Sequence, residues 1–184
     1  MPWGPPLTSL RPDLPSDDDP ADDTARDRAL ETGPIADAFQ SGQKTSKKAA
    51  QILVDKGLGY VIPSALQRQN LLVAFAKKRK VVYGKAFDVV RLLSPMNLDN
   101  LADVEANLTK LVLLEIKSSK KQLAPDFSGF FFALTAGEVL IAQSLKSQFR
   151  FVLVNTTTGD SLELTLAEIF GRARGIYPTW SISF

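Results

Sequence analysis

Two apolar runs, VYGKAFDVVRLL at 82–93 and LTKLVLLEIKSSKK at 108–121, carry charges in their middles. Asp88 interrupts the first, and Glu115 and Lys117 interrupt the second. A strand sealed on both faces seldom holds a charge, because an unpaired buried ion costs several kcal/mol or more. Any sheet built from these runs must therefore pair the three charges or open to water beside them. Side chains alternate along a strand, so Glu115 and Lys117 share a face with Leu113, while Leu114 and Ile116 point the other way. Asp88 shares a face with Val90. If the two strands are neighbours, the three charges converge. Two carboxylates and the carbonyl of Ile116 then make an oxygen site suited to Mg²⁺, or Mn²⁺ in its place. An ion held there stabilises charge on a phosphodiester and lowers the pKa of an attacking water. Lys117 would orient that water or neutralise the developing charge. The plainer alternative is an ion pair, Glu115 or Asp88 with Lys117 or Lys85.

Composition removes most other chemistry. The 184 residues include no cysteine and no histidine, which excludes disulfides, thiolate metal sites and Ser-His-Asp catalysis. The length suits one domain with a tail. No run approaches the roughly 20 apolar residues that span a membrane. The start, MPWGPPLTSLRPDLPSDDD, is proline-rich and then acidic, unlike a secretory signal. With the absent cysteine, this predicts a cytoplasmic protein. Charge is unevenly spread: residues 1–40 carry nine acidic and three basic side chains, a balance of −6, and residues 41–184 carry nineteen basic and eleven acidic, a balance of +8. The basic body predicts an anionic partner, nucleic acid first.

Residues 1–34, rich in proline and aspartate, are expected to be a disordered acidic tail, and 35–184 the folded domain. TSKKAAQILVDKG predicts a helix capped at Thr45 or Ser46 and stopped at Gly57. PSALQRQNLLVAFAKKRK predicts a second, with Ser64 as N-cap and a buried stripe of Leu66, Leu71, Leu72 and Phe75. One or two strands are expected over 80–93, with Gly84 as turn or bulge. A polar connection follows at NLDNLADVEAN, then the strand LTKLVLLEIK and a short apolar run SGFFFAL. Thr135 and Glu138 form a capping box that opens a helix burying Val139, Leu140 and Ala142. FRFVLVNT is a further strand, and SLELTLAEIF alternates before turning helical.

With the order helix, three strands, helix, strand, the chain resembles the PD-(D/E)xK, or restriction-endonuclease-like, nuclease superfamily over roughly residues 64–155. Asp88 in AFDVV stands where that family has its first acid, and EIK at 115–117 matches (D/E)xK. FDVVRL, LLEIKSS and FFFALTAGEVLIAQSLKSQFRFVLVN are most similar to its NO VEIN-type C-terminal domain. The resemblance implies an α/β fold, a restriction-endonuclease-like mixed sheet flanked by helices with an α-β-β-β-α-β core. It further implies a Mg²⁺-dependent nuclease centre at Asp88, Glu115 and Lys117, with DNA the expected substrate in defence, restriction or repair. Phe87 stands where proline is common in the family. Residues 64–80 lack the acid that many members carry on the first helix, leaving Gln67 and Gln69 as polar candidates.

Around this centre, Lys77, Lys78, Arg79, Lys80 and Lys85 are candidate phosphate contacts, as are Ser118, Ser119, Lys120 and Lys121. Phe130, Phe131 and Phe132 are read as core, and Glu138 as a cap. Arg172, Arg174, Tyr177 and Trp180 form a basic-aromatic mix near the end of the chain. A homodimer or partner subunit is compatible with all of this. The reading from a different class is a non-catalytic nucleic-acid-binding or assembly module on the same fold.

Overall fold

The computed structural model describes residues 34–176, with side chains from residue 45 onward. The chain divides into two compact units, Met1–Gln40 and Ser41–Phe184, and the whole sheet belongs to the second. The strands are β1 (Tyr60–Val61), β2 (Val89–Leu92), β3 (Leu111–Ser119), β4 (Phe149–Asn155) and β5 (Ser161–Leu164), side by side in chain order. All pairs are antiparallel except β3 with β4. Helices α1 (Pro34–Asp55), α2 (Ala65–Lys77), α3 (Leu101–Asn107), α4 (Ala136–Leu145) and α5 (Leu166–Arg172) complete the fold. The protein is an α/β protein with a five-stranded mixed sheet flanked by helices. Among the described residues, no helix is long and apolar enough to cross a membrane.

Each sheet face has its own core. On one, Leu71 and Phe75 of α2, Val104 of α3, Ile141 and Leu145 of α4 and Ile169 of α5 join Val90, Leu111, Leu113, Phe149, Phe151 and Leu153. On the other, Ala49, Ala50 and Leu53 of α1 join Val89, Val112, Leu114, Ile116, Val152 and Val154. Burying one such aliphatic or aromatic side chain contributes about 1.5–3 kcal/mol. The run Leu111–Leu114 is buried throughout because β3 is central and covered on both faces. Gly59, at φ 81°, brings β1 against β2. Its carbonyl accepts from Leu92 N–H at 2.8 Å, and a Cβ there would run into the Leu92 carbonyl.

Several local expectations are corrected. α1 runs from Pro34 straight through Thr45 and Ser46, so neither caps it, although it does end just ahead of Gly57 at φ 67°. Ser64 is the N-cap of α2, in a capping box with Gln67. Leu66 is 54% exposed and Leu140 59% exposed, so neither belongs to its helix's buried stripe. Between α2 and α4 there are two strands and a helix where three strands were expected. Residues 81–88 are not a strand, because Arg68 draws the carbonyls of Gly84 and Phe87 inward at 2.7 and 2.6 Å and folds the chain around its guanidinium. NLDNLADVEAN contains α3, whose Asn100 side chain accepts from Ala102 N–H and Asp103 N–H. The run SGFFFAL finds no strand partner, since β2 and β4 occupy both sides of β3. It turns back on itself instead, with Phe127, Phe130 and Phe132 in tilted ring contacts, while Phe131, expected in the core, is 78% exposed. Residues 1–33, most of the expected tail, and Tyr177 and Trp180 lie outside the described residues.

Candidate active site

The register sets the site. Val89 opposite Leu114 is the last pair of the β2–β3 ladder, and Asp88 stands one residue ahead of β2. Asp88 N–H donates to the Leu114 carbonyl at 2.8 Å, and Ile116 N–H donates to Asp88 Oδ2 at 2.9 Å. The carboxylate thus stands in for the next rung of the ladder. Asp88 and Glu115 lie close enough for the charge of Asp88 to act on Glu115.

Lys117 lies two residues further along the same face. Its Nζ donates to Glu115 Oε1 at 3.1 Å and to both oxygens of Glu138, at 2.9 and 2.8 Å. Glu138 comes from α4, which connects the parallel strands β3 and β4 and so starts at the end of the sheet where β3 finishes. Its backbone N–H donates to Thr135 Oγ1, and its Oε2 accepts from Thr135 N–H at 3.1 Å. The capping box is as the sequence predicts. That its acid also turns inward, 8% exposed, onto the lysine of EIK was not foreseen. The missing signal is three-dimensional: capping boxes look alike in sequence whether their acids face water or core.

Arg68 is the second residue that sequence reasoning overlooked. Its guanidinium sits 4.3 Å above the Phe87 ring, donates to the Gly84 and Phe87 carbonyls and draws Asp88 electrostatically. Helix α2 therefore supplies a cation where many members of the resembled family supply an acid. Gln67 is engaged in the α2 cap and with Asp99, and Gln69 is exposed.

Burial pushes the Asp88 carboxyl above the usual range, although the Ile116 N–H, Arg68 and Lys117 pull it down. Glu115 is pushed up further, to about 8, first by desolvation and then by the negative charge of Asp88. The short contact to Lys117 opposes this but does not prevail. Lys117 makes two shorter bonds to Glu138 and only one, longer, to Glu115, so its charge is mostly engaged elsewhere.

The donors suit a hard divalent cation. Asp88 and Glu115 each keep one carboxylate oxygen without a hydrogen-bond partner among the described residues, and neither oxygen is sealed from solvent. Ile116 N–H points toward Asp88, and a strand residue's carbonyl leaves on the same side as its N–H, here just beyond the start of β2. Among the described residues no three acids lie close enough to hold a metal by side chains alone. Two carboxylates and a carbonyl are the set on offer.

Comparison with protein-family models, curated proteins and solved structures finds no match. The chemistry is read from the side chains themselves.

The remaining candidates separate into two groups. Ser118, Ser119, Lys120 and Lys121 continue β3 past Lys117 and lie at the same end of the sheet. Lys120 and Lys121 are exposed, and the backbone there is pinned to Asn155 and Thr157. Ser119 is buried, its hydroxyl accepting from Lys121 N–H at 3.0 Å. Lys85 is exposed in the turn ahead of Asp88. Lys77, Lys78, Arg79 and Lys80 sit at the opposite end. Lys77 pairs with Glu105, and Lys80 donates to Gln148, which precedes β4 at the level where β3 begins. Two surface depressions open at that far end, and neither reaches the carboxylates.

Proposed function

We propose that this chain is a Mg²⁺-dependent nuclease of the PD-(D/E)xK kind acting on DNA in a cytoplasmic defence, restriction or repair setting. One observation carries the reading. Asp88, Glu115 and Lys117 come together at the end of β3, and each acid keeps one oxygen without a hydrogen-bond partner among the described residues. Asp88, Glu115 and the Ile116 carbonyl would hold the ion. When bound, the ion supplies Lewis acidity toward a phosphodiester oxygen and a water of lowered pKa. Asp88, anchored by the Ile116 N–H, fixes where the phosphate can approach. Lys117, held at the edge of the acids, donates to the charge that develops on the phosphate or orients the water. Lys120 and Lys121 steer the nucleic-acid backbone toward that end.

A non-catalytic binding or assembly module on the same fold is favoured by a different observation. The three hydrogens of Lys117 already have carboxylate acceptors, an arrangement that can serve structure alone. A plasmid-nicking assay with Mg²⁺ or Mn²⁺ separates the two. The nuclease cuts only with metal, and Asp88→Ala and Lys117→Ala abolish cutting. No metal-dependent cleavage of DNA or RNA, with nucleic-acid binding intact in both variants, leaves the module.

A further inference from the structure

We infer that Glu138 is a positioning residue that draws the Lys117 ammonium partly away from Glu115, leaving Glu115 one oxygen with which to take a divalent cation. This rests on the reading of Asp88 and Glu115 as the metal carboxylates. Lys117 and Glu115 lie on the same face of one strand, two residues apart, so an otherwise unpartnered ammonium would settle on Glu115. Glu138 competes for it with both of its oxygens, at 2.9 and 2.8 Å, and leaves Glu115 a single longer bond at 3.1 Å. Its grip is rigid, because the same carboxylate caps α4 and Ile141 and Leu145 fasten that helix into the core.

The molecule contains its own control. Helix α5 opens with the same kind of box, Thr165 and Glu168, with Thr165 N–H donating to Glu168 Oε2 at 2.7 Å. Yet Glu168 is exposed and forms no salt bridge among the described residues. Capping a helix does not require a glutamate to be buried against a lysine. Glu138 does both.

Calorimetric titration of the intact chain with Mg²⁺, without nucleic acid, tests this apart from activity. Glu138→Gln keeps the cap, since glutamine also serves in capping boxes, but loses the charged hold on Lys117. We expect its Mg²⁺ dissociation constant to rise about tenfold, equivalent to about 1.4 kcal/mol. Thr135→Val breaks the cap and leaves Glu138 charged, so its Mg²⁺ affinity should stay within about twofold of wild type by the same conversion. In a Lys117→Met background, or Lys117→Gln if the former fails to fold, adding Glu138→Gln should change nothing further. An unchanged affinity in Glu138→Gln overturns the inference. So does a loss that persists without Lys117, since it would reflect bulk charge alone. Absence of Mg²⁺ binding to the wild type overturns the underlying reading instead.

Discussion

Among the described residues, each face of the sheet holds a cluster of partly buried charge, and the two clusters differ in balance. On the α1 face, Tyr60 Oη donates to Glu163 Oε1 at 2.5 Å and Arg91 Nη1 donates to the same oxygen at 2.9 Å. One cation meets one anion, and a hydroxyl completes the set. On the opposite face, Asp88, Glu115 and Glu138 share one lysine, while Arg68 spends its hydrogens on backbone carbonyls. The balanced cluster ties the sheet together. Tyr60 belongs to one edge strand and Glu163 to the other, and their registers on β3 fall four residues apart, at Val112 and Ile116. In a flat sheet their backbones would stand roughly 23 Å apart. Strand twist lifts diagonally opposite corners toward one face and brings them into reach. The other cluster sets three carboxyls against two cations, Lys117 and Arg68, and the fold relieves the excess by pushing Glu115 up to about 8.

The largest contrast should come from the same substitution on the two faces. Glu115→Gln removes a carboxyl that the fold disfavours in its ionised form. Below pH 4.5 folded and unfolded chains are both protonated there, and the substitution gains nothing. From 4.5 to about 8 the unfolded chain releases its proton while the folded chain retains it, so wild-type stability falls as pH rises. Above about 8 the full penalty applies. At about 1.4 kcal/mol per pKa unit, Glu115→Gln should be stabilising by up to a few kcal/mol at pH 9. Glu163→Gln should instead destabilise by about 1–2 kcal/mol at neutral pH, having stripped Arg91 and Tyr60 of their ionised acceptor. Denaturant melts at pH 4, 7 and 9 read both. Destabilisation by both substitutions would show that the two clusters are structural alike.

This contrast marks what could be read in the sequence. Strand alternation was enough to put Glu115 and Lys117 on one face of β3, because register within a buried strand is fixed by its apolar neighbours. It was not enough to find Glu138 or Arg68. Both come from helices, and which helical residue meets a strand depends on crossing geometry that no local pattern carries. Nor could the tie between Tyr60 and Glu163 be foreseen, since the residues are 103 apart and meet only through the twist of the sheet. Residues 81–88 failed as a strand for a similar reason. Their β-branched and aromatic content was right, but a tertiary partner, Arg68, claimed the carbonyls. The helix starts at Ser64 and Thr135 were legible because a cap is a local device.

A smaller effect sharpens the balanced side. Burial and the bond to Glu163 push the Tyr60 hydroxyl up to about 12. Its folded pKa exceeds the unfolded value near 10, so the contribution is whole below pH 10 and is lost as pH rises toward 12. Tyr60→Phe should cost about 1 kcal/mol at neutral pH, the usual worth of one hydrogen bond. It should also flatten the alkaline limb of a stability–pH profile between 10 and 12. An unaltered limb would mean that the tyrosine bears no part of the tie.

The smallest effects should come from the exposed lysines, where the comparison shifts from the two faces to the two ends of the sheet. Lys77 is 57% exposed where it pairs with Glu105, and an exposed pair of this kind contributes about 0–1 kcal/mol. Joint replacement of Lys77 and Lys78 by alanine should leave stability within about 0.5 kcal/mol of wild type. On the proposed nuclease reading it should also leave DNA cleavage unchanged, because those amines stand at the end of the sheet away from Asp88 and Glu115. Joint replacement of Lys120 and Lys121 should be equally harmless to the fold, since their backbone groups, not their amines, hold the loop to Asn155 and Thr157. DNA binding should weaken, however, with the slope of log affinity against log salt falling by up to about 0.9 for each phosphate no longer neutralised. Filter-binding across a salt series compares the pairs directly. If the Lys77 and Lys78 pair carries the salt dependence and the Lys120 and Lys121 pair carries none, the nucleic acid runs over the far end, and the carboxylates of Asp88 and Glu115 are not what it reaches.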